Sequence, residues 1–210
     1  MQEAVPAGEG AMAAILGLAP EAVVQACAAA ALGQIVSAAN FNSPEQTVIA
    51  GHTASVGRAS KLAIERGAMR AVPLPVSAPF HCALMRPAEA RLAEHLAAIR
   101  FADPVFPVVV NADAALVATG AAARDALVRQ VCSPVRWAES IRSLRTMGAE
   151  RFIEVGPGRV LTGLMRRIDR AAEARCVEDK ATLDALLAYI GPGAVPGRVR
   201  GPGRLEEGRA

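Results

Sequence analysis

The hydrophobic pattern divides the first third of the chain into six short elements. "GAMAAILGL" (10–18) is an almost unbroken apolar run, short enough to predict a strand. "PEAVVQACAAAA" follows as a helix opened by Pro20, a residue suited to a first helical turn. "QIVSAANF" and "QTVIAGH" read as two strands, and "NSPE" between them supplies turn chemistry through Asn, Ser and Pro. "TASVGRASKLAIERG" is helical, with Thr53 expected as its N-cap and Gly67 as its C′ residue. "MRAVPLPV" closes the series as an extended run whose prolines favour a sheet edge. The order βαββαβ predicts a ferredoxin-like subdomain over residues 1–77.

Beyond residue 77 the pattern is different. Leu84, Ala88, Leu92, Leu96 and Ile99 recur at helical spacing. "FPVVVN" (106–111) is continuously apolar, which predicts a strand buried on both faces. "AAARDALVRQV" and "WAESIRSLRTMG" read as helices on either side of Pro134, and "RFIEVGPGRVLTGLMRRI" as strand, tight turn and helix. Such alternation predicts an α/β class with a parallel sheet over 78–190, and only part of one, because two strands make a poor sheet. The stretch 191–210 holds six Gly and three Pro, a composition that predicts a disordered tail.

Composition narrows the function classes. Apolar residues make up 52% and aromatics 3%, so the core is aliphatic and alanine-rich. Of the formal charge of +3, two units fall in the last twenty residues, and the nearly neutral body argues against nucleic acid as a partner. The four cysteines (Cys27, Cys82, Cys132, Cys176) form no CxxC pair, so neither a metal site nor a disulfide framework is expected. "MQEAVPAGEG" lacks the build of a signal peptide, and the longest uncharged window carries too many amides for a membrane span. A soluble cytoplasmic protein, with no membrane partner, is the expectation.

"LPVSAPFHCALM" (74–85) contains the leading candidate for chemistry. Pro79 restricts its neighbours, so the loop can hold His81 still at the start of the helix expected to follow it. Cys82 is adjacent in sequence and so does not face His81. His95 is expected to be solvated and His52 structural. Asn40, Asn42 and Gln46 suit a turn, and suit equally a contact to an acyl or pantetheine group. Arg70, at a strand start, is a candidate for a phosphate. "VGPGRVLTG" (155–163) fails the dinucleotide spacing and is more simply a tight turn. A histidine base in an α/β setting suggests acyl transfer through a G-x-S-x-G serine, but that pattern is absent; "GHTASVG" (51–57) has the wrong spacing.

Five segments in order resemble the malonyl-CoA:acyl carrier protein transacylase family: "MQEAVPAGEGAMAAILGL", "NFNSPEQTVIAGH", "PLPVSAPFHCALM", "ALVRQVCSPVRW" and "EVGPGRVLTGL". The resemblance runs from Met1 to about Tyr189. It implies an α/β-hydrolase-like acyltransferase domain carrying a ferredoxin-like subdomain, with residues 78–190 as the C-terminal part of the large domain. It implies malonyl-CoA and acyl carrier protein as substrate and partner, and no cofactor beyond the coenzyme A thioester. His81 matches the family's catalytic base, and Gln130 the residue whose main-chain carbonyl orients it. Asn42 matches an active-site amide, and Gln46 and Arg70 fall where coenzyme A is touched. The family's oxyanion loop, its GHSxGE serine and its carboxylate-gripping arginine have no counterpart here, which implies negligible turnover by this chain alone and a start placed late in a longer gene. The alternatives are a non-catalytic module that binds acyl carrier protein or a full-length homologue, and a hydrolase using Ser43 or Ser77.

Overall fold

A computed structural model describes residues 2–76 and 78–191. Ser77 and, beyond Gly191, the tail expected over 191–210 lie outside the described residues.

The first six elements are β1 (Gly10–Leu16), α1 (Pro20–Ala30), β2 (Val36–Ser43), β3 (Gln46–His52), α2 (Thr53–Glu65) and β4 (Arg70–Pro73). The strands form one antiparallel sheet in the order β2-β3-β1-β4, the split βαβ arrangement that their sequence order predicts. Their apolar runs alternate poorly because both faces of the sheet are covered. On one face Ala13 and Ile15 of β1 pack against Val23, Ala26 and Cys27 of α1 and Val56 and Ala59 of α2. On the other, Met12 and Ala14 meet Ala39, Val48, Ala50 and Cys82, with Phe80 and Leu84 beside them. The loop after β4 is thus part of the second core.

Helix α2 ends as its sequence predicts. Gly67 takes φ +100, and the amides of Gly67 and Ala68 return to the carbonyls of Ile64 and Ala63. Thr53 is not the N-cap. Its hydroxyl donates to the Gly8 carbonyl at 2.7 Å and its amide to the Glu9 carbonyl at 2.9 Å, so the side chain is spent on the preceding segment.

The remaining chain runs through a 3-10 turn (Ala83–Met85) into α3 (Arg86–Ala97), β5 (Val108–Val110), β6 (Ala115–Val117), α4 (Gly120–Gln130), α5 (Trp137–Thr146), β7 (Arg151–Val155), α6 (Val160–Ile168), β8 (Glu173–Val177) and α7 (Lys180–Ile190). Strands β7 and β8 pair in parallel across α6, a βαβ unit of which the sequence pattern indicated only the first strand and the helix. The expectation of a doubly buried strand at 106–111 does not hold. Only Val108–Val110 is extended, it pairs as a hairpin with β6 alone, and Phe106 is 74% exposed. Pro104 and Pro107 remove amide donors on its N-terminal side, which shortens the strand to three residues.

A main-chain contact extends the sheet into this half. Val135, between α4 and α5, donates its amide to the Ala39 carbonyl and accepts from the Phe41 amide, both at 2.8 Å, adding a short parallel bridge at the free edge of β2. No helix among the described residues is long and apolar enough to cross a membrane.

Candidate functional site

The loop carrying His81 is pinned before the histidine is reached. Leu74 donates its amide to the Met12 carbonyl at 2.9 Å, continuing β4 along β1. Ala78 and Pro79 are fully buried, and the Cys82 thiol donates to the Pro79 carbonyl at 3.1 Å. Between Pro79 and Cys82 the chain turns through His81 in a left-handed conformation, φ +60. That conformation is sterically costly for a residue with a Cβ, by about 1–2 kcal/mol, and persists only where the surroundings impose it.

The imidazole, half-buried, meets the end of α4. Nδ1 lies 2.9 Å from the Gln130 carbonyl oxygen. A carbonyl only accepts, so Nδ1 is the donor, and in the neutral imidazole the lone pair is then on Nε2. The carbonyl is free because Gln130 closes α4, and the last carbonyls of a helix have no intrahelical donor. The amides that could reach it are spent or missing: Ser133 donates to the Arg129 carbonyl at 3.0 Å, and Pro134, four residues on, has no N–H. The Gln130 side chain donates from Nε2 to the Ser133 carbonyl at 2.9 Å and shapes the turn that delivers Val135 to β2. The helix terminus that touches the ring is therefore the carbonyl end of α4, not the amide end of the helix that follows His81.

The neighbouring thiols are not activated. Burial raises the Cys82 thiol, and burial followed by the Glu89 carboxylate raises Cys132 to about 11. Both are protonated at neutral pH. His52 is structural: its Nδ1 accepts the Ile35 amide at 3.0 Å. His95 is exposed on α3.

The other expected residues divide into two places. Asn40, half-buried, backs onto Val135 and so lies on the Gln130 side of the sheet edge. Asn42, also half-buried, sits where the β2–β3 register shifts between Phe41 and Ser43. Gln46 and Arg70 are both paired with Leu16, one on β3 and one on β4. This end of β1 is about 20 Å from Gly10 at the usual strand rise. Arg70 borders a groove of about 430 Å³ with Glu45, Met69, Arg166, Arg167 and Arg170, and Arg167 donates to the Gln46 amide oxygen at 3.1 Å. None of the four arginines forms a salt bridge among the described residues. The sequence reading missed Arg166, Arg167 and Arg170. Their signal is the basic run "MRRIDR" at the end of α6, a place where cations also suit the helix dipole.

The turn "VGPGRVLTG" holds its own anion. The Glu154 carboxylate accepts the Leu161 and Thr162 amides at 2.9 and 2.7 Å, occupying the start of α6. Desolvation raises this carboxyl, but its hydrogen bonds outweigh that and hold it below the ordinary range. Ser43 is buried at the groove end of β2, and no hydroxyl among the described residues is hydrogen-bonded to the His81 ring. No cluster of three His, Cys, Asp or Glu side chains suited to a metal occurs among the described residues.

Comparison with known proteins bears on the whole arrangement. The chain is 51% identical over 187 residues to the malonyl CoA-acyl carrier protein transacylase of Escherichia coli (strain K12), covering 89% of this chain and 60% of that protein. The crystal structure of an acyl carrier protein S-malonyltransferase from Vibrio cholerae superposes with a TM-score of 0.87 at 52% identity. The chain belongs to the malonyl-CoA:acyl carrier protein transacylase family. It is a C-terminal portion of it, spanning about three fifths of the length of the curated relatives it matches. A malonyl-transacylase solved in complex with its type II polyketide synthase acyl-carrier protein is 49% identical, with a TM-score of 0.88 over 90% of this chain and 61% of that one. The α/β architecture is shared with these transacylases. No protein-family model matches the chain.

Proposed function

We propose that this chain provides the general base and part of the substrate surface of a malonyl-CoA:acyl carrier protein transacylase. The observation that carries the proposal is the 2.9 Å bond from His81 Nδ1 to the Gln130 carbonyl, which holds the ring in a rigid loop with Nε2 as the nitrogen not engaged by that bond. In this scheme Nε2 takes the proton of a serine hydroxyl as the serine oxygen attacks the malonyl thioester carbonyl. The imidazolium, held by the Gln130 carbonyl, then gives that proton to the departing coenzyme A thiolate. The second half runs the same steps in reverse with the pantetheine thiol of acyl carrier protein. The serine belongs to the stretch of the family that this chain does not span. Coenzyme A is a substrate here and the scheme needs no cofactor or metal.

Asn40, bridged to Val135 at the edge of β2, and Asn42, next to Ser43 of the arginine groove, suit amide contacts to the acyl or pantetheine chain between the two. Gln46 and Arg70, with Arg166, Arg167 and Arg170, suit phosphate. A thioester with phosphates at one end and a reacting carbonyl far along a flexible arm matches the two ends of β1. The expected setting is the cytoplasm.

The test mixes the chain with the remaining stretch of the E. coli relative and follows malonyl transfer from malonyl-CoA to holo-acyl carrier protein by mass spectrometry. Transfer should appear in the mixture and fall by about 10²–10⁴-fold with His81→Ala, the usual contribution of a positioned base. Transfer indifferent to His81→Ala refutes the assignment. Saturable carrier-protein binding without transfer favours the non-catalytic module instead.

A further inference from the structure

The His81 loop rests on a residue that has no side chain. Gly10 opens β1, and its φ is not left-handed, so what the position requires is space rather than conformational freedom. A Cβ placed there would stand 2.4 Å from Cδ and 2.5 Å from Cγ of Pro79. Ordinary contact needs 3.4–4 Å, so a methyl group would displace the ring by about 1 Å. Pro79 has little means of yielding: its ring is closed and φ is locked, it is fully buried, and its carbonyl is held by the Cys82 thiol. The displacement passes to the next flexible point, which is His81. There the ring's bond to Gln130 is 2.9 Å, and a shift of about 1 Å takes it outside the range of about 2.7–3.2 Å that such bonds occupy.

We propose that Gly10 is a positioning residue for His81, its bare Cα forming the seat on which Pro79 fixes the height of the imidazole over the Gln130 carbonyl. The functional consequence rests on the reading of His81 as the base; the positioning itself does not. Misplacement of a reacting group by 1 Å is enough to cost about 10²-fold in rate.

The experiment uses the full chain labelled with ¹⁵N. Long-range ¹H–¹⁵N spectra report which nitrogen of each histidine carries the proton. In the native chain His81 should show a slowly exchanging Nδ1–H, and His52, whose Nδ1 accepts a backbone amide, the opposite tautomer. Gly10→Ala should lose the His81 Nδ1–H signal while circular dichroism and the His52 signal persist. Adding Pro79→Ala, which removes Cγ and Cδ, should restore it. Gly17→Ala, which crowds Met69 at the far end of β1, should leave it intact. The proposal is overturned if Gly10→Ala keeps the signal or if Gly17→Ala also abolishes it. It is equally overturned if the double variant fails to recover the signal, folded or not, since the clash has then been removed without effect. A native chain without the signal refutes the His81 assignment instead, and separately.

Discussion

Replacing His81 by alanine and by glycine separates the chemistry of the ring from the strain of its backbone. Both substitutions delete the imidazole and its 2.9 Å bond to the Gln130 carbonyl. Such a bond contributes about 0.5–1.5 kcal/mol net. Alanine retains a Cβ and therefore the steric cost of φ +60, about 1–2 kcal/mol. Glycine escapes that cost but gives up about 0.5–1 kcal/mol of chain entropy on folding. His81→Ala should thus fall about 1 kcal/mol below the native chain, and His81→Gly should be more stable than His81→Ala by about 0.5–1 kcal/mol. Urea unfolding followed through Trp137, the single tryptophan, reads the difference as a shift in midpoint at constant slope. If the glycine variant is no more stable than the alanine variant, the left-handed strain ascribed to His81 is absent. The reasoning that the fold imposes this geometry on the site then fails with it.

Other consequences follow from the same structure. Ile15 is fully buried between β1 and both helices, so Ile15→Ala should cost about 2–5 kcal/mol in urea unfolding; a loss under about 1 kcal/mol would mean the small core collapses around the gap. Glu154 is held below its unfolded pKa, so its contribution is present above about pH 4.3 and lost as pH falls through the lower folded value. Glu154→Gln should therefore flatten the thermal stability profile between neutral pH and about pH 3, and identical profiles refute the capping role. Coenzyme A binding, by calorimetry, should weaken as salt rises and drop roughly two- to fivefold with Arg166→Ala or Arg170→Ala, the effect of one exposed charge contact; affinity unchanged in both variants removes phosphate from the arginine groove. The thiols of Cys27 and Cys132, raised to about 11 chiefly by burial, should react slowly with a disulfide reagent at neutral pH until denaturant is added. Prompt reaction of either in the folded chain contradicts that burial.

The four-stranded first half was legible because each element carries its own local signal: Pro20 at a helix start, the "NSPE" turn, Gly67 at a helix end. The short connections between them leave few ways to pair four strands. The later half was less legible. The apolar run at 106–111 signalled burial, yet periodicity names neither the partner strand nor the layer above it, and two prolines confined it to a hairpin. Strand β8 and helix α7 passed unnoticed because "EARCV" alternates weakly between polar and small residues. At the site, His81 stood out by residue type and by its stiff loop. Gln130 did not, because the group that matters is a main-chain carbonyl, which every residue possesses; only resemblance pointed to it. The arginine groove joins β4 to the end of α6, segments far apart in the chain.

The order of side chains alone therefore determined the helices and strands of the first half, the glycine that ends α2, and which imidazole is held in a proline-stiffened loop. Those properties depend on neighbours within a few positions. Packing alone decided that a helix ends beneath that imidazole, that a strand begins without a side chain where the proline must sit, and that four cations border one groove. Such facts concern distances between backbones remote in sequence, and they are set by how two faces of one sheet are covered.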